Sequence, residues 1–274
     1  MELINDIKID ERVSSKILKW KKEMRSRDKD KFIVVDGREG SGKSSVALQW
    51  ASAFDDSFNL SKVAFNAKQF DKIVKDPARK KGECIVLDEG YGAINSRATM
   101  SSVNRSMVQL GTEMRQLNLF VIIVLPSFFD LDRYFGLWRS DILLHVYIRK
   151  NGRRGRYCIY PFNKKKALYL KGKKTYNYFA VRTKHKGFQF NKGYGVLDDV
   201  EYRSKKATAF REEEIERVPV KTIQKESKIK VLRNLMEDGT ERTQKEYGKL
   251  LGVTQKTISK YLLEIRNRPH TLET

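Results

Sequence analysis

Short apolar runs recur through the first half of the chain, separated by stretches in which apolar residues follow helical spacing. Between the first four runs, helices are predicted over 44–54, 67–74 and 100–117. Continuous apolar strands that alternate with helices are typical of a parallel sheet covered on both faces. The pattern therefore predicts an α/β fold with a doubly wound, mainly parallel sheet. The five predicted strands are Phe32–Val35, Val63–Phe65, Cys84–Leu87, Leu119–Leu125 and Leu143–Ile148.

Weaker patterns lie on either side of this core. An amphipathic helix is predicted over 9–27 and a charged helix over 200–217. Asn151-Gly152 is a strong turn signal between two apolar-aromatic runs, so a basic β-hairpin is predicted to extend the sheet. Residues 226–264 predict a small all-α unit. The predicted domains are 1–29, 30–198 with a basic β-rich extension at 142–197, a charged helix and linker at 199–225, and 226–274.

The charge of the chain indicates what it binds. Its 274 residues include 56 Lys and Arg against 34 Asp and Glu, a formal net charge of +22. The excess is concentrated in residues 142–197, which contain no Asp or Glu, and an excess of this kind favours a polyanionic partner. We expect nucleic acid and no membrane, because the longest apolar run, Leu119–Pro126, is far shorter than a spanning helix. Two distant cysteines indicate a reducing, cytoplasmic setting.

A glycine-rich loop, Gly-Arg-Glu-Gly-Ser-Gly-Lys-Ser, follows the first predicted strand and precedes a predicted helix. In such a loop, backbone N–H groups surround phosphates, the lysine reaches the outer phosphates, and the last serine binds Mg²⁺. The alternative is a chance glycine-rich turn, but the strand and helix supply the context that the motif requires. The sequence predicts an ATP and Mg²⁺ site with Lys43 as a catalytic residue. The predicted nucleotide contacts are Gly37, Gly40, Ser41, Gly42, Lys43, Ser44 and Ser45.

The second half of this site is predicted at the end of the strand Cys84–Leu87, where Asp88 and Glu89 follow. Asp88 and Ser44 are the predicted metal residues, with Asp88 holding Mg²⁺ through its water shell, and Glu89 is the predicted catalytic residue that polarises the attacking water. The alternative is a strand that ends in two solvated carboxylates. A glutamate at this position favours hydrolysis over simple switching.

An arginine that reaches the γ-phosphate would lower the barrier to hydrolysis by offsetting the charge that develops there. Arg115, which lies just before the fourth strand, is the first choice, and Arg139 is the second. For each candidate the alternative is a salt-bridged or solvated surface residue. The sequence does not distinguish action within one subunit from action on a neighbour. The candidates are Arg97, Arg105, Arg115, Arg133 and Arg139.

Residues 30–150 resemble the additional-strand, catalytic-glutamate division of P-loop ATPases. Within that division Asp88-Glu89-Gly90, Arg97, Thr112–Gln116 and the strand that follows are similar to the FtsK–HerA branch of DNA-pumping motors and its phage relatives of the zonular-occludens-toxin type. The resemblance implies a motor ATPase, and a viral or mobile-element origin would suit it. The chain departs from it at Pro126-Ser127, where these relatives commonly carry glutamine or another polar sensor, and it lacks the transmembrane segment of the toxin-like group.

Residues 244–262 match the spacing of a helix-turn-helix, with Gly252 at the turn and Thr254 as the cap of the second helix. This segment resembles the winged or plain helix-turn-helix domains of bacterial and archaeal regulators. A helical bundle used for protein contact is the alternative here, and a solvated basic face is the alternative for the hairpin. The predicted nucleic-acid contacts are Gln255, Lys256, Thr257, Ser259 and Lys260, with Arg153, Arg154 and Arg156 in the hairpin.

These features together predict a Mg²⁺-dependent, DNA-stimulated ATPase that moves along DNA or remodels it as a homo-oligomer. Double-stranded DNA is the expected partner, with single-stranded DNA as the alternative. An ATP-switched regulator of transcription or replication is the main rival, because it needs the same residues without translocation. A small-molecule kinase is the third hypothesis, although it leaves the net charge and the helix-turn-helix unexplained.

Overall fold

A computed structural model describes residues 2–4, 7–9, 11–88, 111, 113–188, 197–217 and 220–267. A two-stranded antiparallel sheet at the N-terminus comprises β1 (Glu2–Ile4) and β2 (Ile7–Ile9). The main sheet contains β3 (Lys31–Gly37), β4 (Val63–Ala64), β5 (Cys84–Leu87), β6 (Phe120–Leu125), β7 (Ile142–Tyr147), β8 (Arg156–Pro161) and β9 (Lys186–Phe188). Its strand order is β4-β5-β6-β3-β7-β8-β9.

The first five strands in this order are parallel, and β8 and β9 continue the sheet in antiparallel pairing. The predicted mainly parallel sheet and its basic hairpin extension are therefore confirmed. Strand β6 lies between β3 and β5, so one strand separates the strand that leads into the glycine-rich loop from the strand that leads into Asp88. Because the carboxyl ends of parallel strands share one edge, residues that follow β3, β5 and β6 meet there.

The helices cover both faces of the sheet. Along β3, Ile33 and Val35 pack on the face that α1 and α2 cover, and Phe32 and Val34 pack on the face that α3 and α4 cover. Because both faces are buried, Phe32–Val35 form a continuous apolar run rather than an alternating one. The helices are α1 (Glu11–Arg27), α2 (Lys43–Phe54), α3 (Ala67–Val74), α4 (Phe162–Gly172), α5 (Asp199–Arg217), α6 (Val220–Glu237), α7 (Gln244–Leu251) and α8 (Gln255–Asn267).

Three predicted elements differ from the structure or lie partly outside it. The N-terminal helix begins at Glu11, and Ile9 belongs to β2. Residues 113–116 are helical, but the rest of the helix predicted over 100–117 lies almost entirely outside the described residues. The predicted β-rich extension includes the helix α4, in which Lys165, Leu168, Tyr169 and Gly172 are buried. Their spacing is helical, and the charge of Lys165 hides it in the sequence.

Lys165 explains how a charged residue can belong to this buried face. Its ammonium donates hydrogen bonds to Ser140 O at 2.5 Å, Ser140 Oγ at 3.1 Å and Leu137 O at 3.3 Å. Burial lowers the pKa of Lys165 to about 8, because the interior disfavours the charged form. Lys165 is therefore buried between α4 and the segment before β7, and its hydrogen bonds join the two.

The chain divides into two compact units, residues 1–210 and 211–274. In the second unit, α6, α7 and α8 pack around Leu232, Tyr247, Ile258 and Tyr261. Its all-α character is as predicted. Within the described part of the chain, no helix is both long enough and apolar enough to cross a membrane.

Candidate nucleotide-binding site

The loop between β3 and α2 contains three glycines with positive φ. Gly37, Gly40 and Gly42 have φ angles of +144°, +69° and +95°, which side chains rarely allow. Gly37 is further restricted, because a Cβ atom there would lie 2.1 Å from the carbonyl oxygen of Val146 in β7. The loop therefore packs directly against the neighbouring strand, and glycine is required at its first position.

The side chains of the loop fit an anionic ligand. Lys43 Nζ donates hydrogen bonds to Gly37 O at 2.7 Å and Arg38 O at 3.0 Å, so it folds back over the loop. The Ser41 hydroxyl is fully buried and has no hydrogen-bond partner among the described residues. A buried hydroxyl without a partner is costly, and a phosphate oxygen would satisfy it. Ser45 lies in the first turn of α2, whose N-terminus favours negative charge.

Ser44 and Asp88 meet although they are far apart in the sequence. Ser44 Oγ donates a hydrogen bond to Asp88 Oδ1 at 3.0 Å, and Asp88 is fully buried at the end of β5. A hydroxyl and a carboxylate are oxygen ligands of the kind that Mg²⁺ prefers. The two residues predicted to hold the metal are thus adjacent, and their donor atoms fit it. Glu89, the predicted catalytic residue, lies outside the described residues.

The other carboxylate oxygen of Asp88 has two partners that the sequence did not indicate. The hydroxyl of Tyr202 donates a hydrogen bond to Asp88 Oδ2, and Lys206 Nζ forms an ion pair with the same oxygen at 3.1 Å. Both residues belong to α5, which the sequence indicated only as a charged helix. A tyrosine and a lysine one turn apart are common in such helices, so no local signal distinguished them.

A second buried carboxylate lies directly before the loop. Asp36 is fully buried and accepts hydrogen bonds from Phe128 N at 2.8 Å and from the hydroxyl of Tyr178. His145 Nδ1 lies 2.9 Å from Asp36 Oδ1, and its ring stacks on Tyr178 with 3.8 Å between ring centroids. Burial, and then the charge of Asp36, raise the pKa of Tyr178 far above its usual range. Tyr178 therefore remains a hydrogen-bond donor.

This Asp36 cluster, formed by Asp36, His145 and Tyr178, also contacts the end of β6. Ser127 Oγ lies 3.3 Å from the Tyr178 hydroxyl. Ser127, at the position where the resembled ATPases commonly carry a polar sensor and this chain departs from them, is therefore linked through Tyr178 to the residue before the P-loop. The sequence did not indicate His145 or Tyr178, because each is distant from Asp36 along the chain.

The arginine candidates lie in different parts of the molecule. Arg115 is exposed and lies before the amino end of β6, whereas the P-loop lies at the carboxyl edge. Six strand residues at 3.3 Å each separate the two edges by about 20 Å. Arg139 forms an ion pair with Asp30 at 2.5 Å near the same amino edge. Neither reaches the P-loop of its own subunit. Arg133 is exposed, and Arg97 and Arg105 lie outside the described residues.

The basic turn between β7 and β8 lies beside the P-loop. Gly155 N donates a hydrogen bond to Ser41 O at 3.0 Å. Arg153 and Arg154 precede it and are exposed, while the guanidinium of Arg156 lies 5.0 Å from the ring centroid of Phe188. The arginines predicted to bind nucleic acid thus flank Gly155, which contacts the nucleotide loop.

In the second unit, α7 ends at Leu251, Gly252 has a φ of +60°, and α8 begins at Gln255. A Cβ atom at Gly248 would lie 2.8 Å from Val253 O, so the two helices meet closely at the turn. Four of the five predicted contact residues on α8 are exposed, and Thr257 is half-buried. Ser259 Oγ donates a hydrogen bond to Gln244 Oε1 at 2.7 Å. The exposed residues are Gln255, Lys256, Ser259 and Lys260.

No protein-family model matches the sequence, and no curated protein matches it significantly. Three similar solved structures are an N-terminal domain, a viral enzyme and a nucleotide-bound protein. The N-terminal domain of zonular occludens toxin from Neisseria meningitidis is 16% identical, with 49% of this chain and 85% of that chain covered and a TM-score of 0.38. The genome packaging NTPase of Sulfolobus turreted icosahedral virus 2, in complex with sulfate, is 13% identical, with 50% and 93% covered and a TM-score of 0.39.

The third structure, AMPPCP-bound DnaA from Aquifex aeolicus, is 9% identical, with 96% of this chain and 90% of that chain covered and a TM-score of 0.34. The sheet order and the glycine-rich loop after β3 give this chain the P-loop NTPase fold.

Proposed function

We propose that the chain binds ATP with Mg²⁺ and hydrolyses it. The observation that carries this proposal is the hydrogen bond between Ser44 and Asp88 at the edge of the P-loop. Ser44 and Asp88 would hold the metal, and Lys43 and Ser41 would contact the phosphates. Mg²⁺, when bound, would neutralise charge on the phosphate oxygens. Glu89 follows Asp88 directly, and we assign it the role of orienting and polarising the attacking water.

The proposed partner of this ATPase is DNA, double-stranded in the first instance and single-stranded as the alternative. The net charge of +22 and the exposed lysines of α8 support it. The contact between Gly155 and Ser41 supports a route by which DNA would stimulate turnover. Phosphates held by Arg153 and Arg154 would lie close to the nucleotide loop, so binding there would order Ser41 and its neighbours.

We further propose that the chain assembles as a homo-oligomer and couples hydrolysis to movement along DNA or to its remodelling. Arg115 lies about 20 Å from the P-loop of its own subunit, so its proposed role at the γ-phosphate is exerted on a neighbouring subunit. A substitution Arg115→Ala is expected to reduce turnover in the oligomer. Mixing it with a Lys43→Ala variant should restore part of the activity, because each subunit would supply what the other lacks.

The second candidate is an ATP-switched DNA-binding regulator without translocation. The compact α6–α8 unit, with exposed polar residues on α8, favours it. Glu89→Gln would leave site-specific DNA binding intact and lock the assembled form of a regulator. In a motor the same change would preserve binding and stop movement along DNA.

The test is steady-state ATP turnover with no DNA, with double-stranded DNA and with single-stranded DNA, across a salt series, beside light scattering for oligomer size. We expect turnover that requires Mg²⁺ and rises with DNA, most strongly at low salt. Lys43→Ala is the control and should abolish turnover without unfolding the chain. Turnover that does not respond to either form of DNA at any salt concentration would refute the DNA-coupled function, and turnover unaffected by Lys43→Ala would refute the site.

A further inference from the structure

Helix α5 brings two donors of different charge to the carboxylate that we assign to Mg²⁺. Tyr202 is fully buried, its ring contacts Phe65 with 5.4 Å between centroids, and its hydroxyl donates to Asp88 Oδ2. Lys206 lies one turn later and forms the ion pair with that oxygen. The two residues therefore hold one oxygen of Asp88 while Ser44 holds the other.

A buried carboxylate requires a nearby positive charge or several hydrogen bonds, because burial alone disfavours its ionised form. Among the residues that the structure describes, Lys206 is the ion-pair partner of Asp88. The exposed fraction of the Asp88 side chain is 1%, and that of Lys206 is 21%. The carboxylate of Asp88 is therefore enclosed by protein, whereas the side chain of Lys206 is partly open to solvent.

We propose that Lys206 is a placeholder cation for Mg²⁺, so that Mg²⁺-nucleotide must displace its ammonium from Asp88. This inference rests on the proposed nucleotide and Mg²⁺ site. A divalent ion bound by Ser44 and Asp88 would lie within a few ångströms of the ammonium, and like charges that close repel strongly when partly buried. The side chain of Lys206 is 21% exposed, so an ammonium displaced from Asp88 would be solvated, and the rings of Tyr202 and Phe210, with centroids 6.0 Å and 5.8 Å from it, lie beside it. Tyr202 is neutral and remains as the positioning residue of Asp88.

The placeholder makes Mg²⁺ affinity lower than Ser44 and Asp88 alone would give. Removing the charge of Lys206 should therefore strengthen the coupling between Mg²⁺ and nucleotide, which is the factor by which Mg²⁺ lowers the Kd of the nucleotide. We expect a rise of about tenfold, because solvent beside the lysine screens part of the repulsion. If Lys206 instead assists the metal, its loss would weaken this coupling, and if it only contacts the phosphates, its loss would weaken nucleotide binding equally with and without Mg²⁺ and leave the coupling unchanged. The change in coupling thus separates these roles.

The measurement is the Kd of a fluorescent ADP analogue in EDTA divided by its Kd in saturating Mg²⁺, which requires no turnover. The variant is Lys206→Met, with Lys206→Gln as a second variant that keeps a hydrogen-bond donor if the first does not fold. Lys205→Met is the matched control, because Lys205 Nζ donates to Leu60 O and Val63 O at 2.7 Å each and does not contact Asp88. It removes the same charge from the adjacent position.

We expect the ratio to rise about tenfold for both Lys206 variants and to remain near the wild-type value for Lys205→Met. An unchanged or smaller ratio for the Lys206 variants overturns the inference, as does an equal rise for Lys205→Met. A wild-type affinity that does not respond to Mg²⁺ also overturns it. Absence of ATP turnover with the ratios as expected refutes the proposed hydrolysis and leaves the placeholder role of Lys206 supported.

Discussion

The hydroxyl of Tyr178 is expected to stabilise the first unit by about 2 kcal/mol through its bond to Asp36. The change Tyr178→Phe removes that hydroxyl and keeps the ring, so the stacking on His145 is preserved. Hydrogen bonds to charged acceptors contribute about 1.5–3 kcal/mol, and Asp36 is fully buried, so solvent cannot replace the lost donor. Asp36 keeps Phe128 N and His145 as partners, which places the expected cost in the middle of that range.

Tyr176→Phe is the matched control for this change. Its hydroxyl also donates to a carboxylate, Asp130 Oδ1 at 2.6 Å, but Tyr176 is 49% exposed. Water can replace that bond, so the expected cost is below about 0.5 kcal/mol. The two variants therefore differ in burial and share the same chemistry.

Urea unfolding followed by tryptophan fluorescence measures both variants. Trp20, Trp50 and Trp138 all lie within residues 1–210, so the signal reports the unit that contains the Asp36 cluster. Because Asp36 directly precedes Gly37, the affinity for a fluorescent ADP analogue should fall in Tyr178→Phe and remain unchanged in the control. Equal stability losses in the two variants would refute the reasoning.

Three further predictions concern stability, the loop and DNA. Because burial lowers the pKa of Lys165 from 10.5 to about 8, the unfolded chain binds more protons than the folded chain between these pH values. The free energy of unfolding should rise with pH across that window by on the order of 3 kcal/mol, and Lys165→Met should remove the rise in urea titrations. Gly37→Ala should cost more than about 2 kcal/mol and abolish ADP-analogue binding, since its Cβ would meet a backbone carbonyl at 2.1 Å. Gly40→Ala should cost only about 1 kcal/mol, because no described atom lies within 4 Å of a Cβ there, and equal costs would contradict this account. Replacing Lys256 and Lys260 together by alanine should reduce the slope of log K against log salt by about 1.8 if both contact phosphates of double-stranded DNA, and an unchanged slope would exclude them.

The parts of the fold that were predicted correctly depend on local pattern. Strands β5 and β6 are apolar throughout, and β3 is apolar over Phe32–Val35, because both faces are covered, and the glycine-rich loop is contiguous in sequence. The meeting of Ser44 and Asp88 could also be predicted, because the carboxyl ends of parallel strands share an edge. Those inferences need only strand direction and spacing.

The parts that were missed depend on contacts between distant residues. Lys165 lies on the buried face of α4, where its ammonium is hydrogen-bonded. Because a lysine is read from sequence as an exposed residue, the apolar periodicity of this helix could not be recognised. Tyr202 and Lys206 lie more than a hundred positions from Asp88 in the sequence. Nothing in the charged sequence of α5 identifies the turn whose side chains contact that carboxylate. The position of Arg115 needs no distant contact, because the rule that brings Ser44 and Asp88 together also places a residue before a parallel strand at the amino edge of the sheet, away from the P-loop of its own subunit.

Residues after Asp141 contact the proposed nucleotide site at three separate points, although the sequence associated residues 142–197 chiefly with DNA and residues 200–217 only with a charged helix. Gly155 binds the backbone of Ser41 within the loop, Tyr178 holds Asp36 before the loop, and Lys206 pairs with Asp88 opposite it. If the nucleotide site is as proposed and a change in one of these contacts alters the free energy of nucleotide binding, then by thermodynamic linkage nucleotide binding must alter that contact by the same amount. If the basic turn binds DNA as proposed, its hydrogen bond to Ser41 makes DNA and ATP affinities interdependent within residues 1–210, without requiring any rearrangement of the α6–α8 unit.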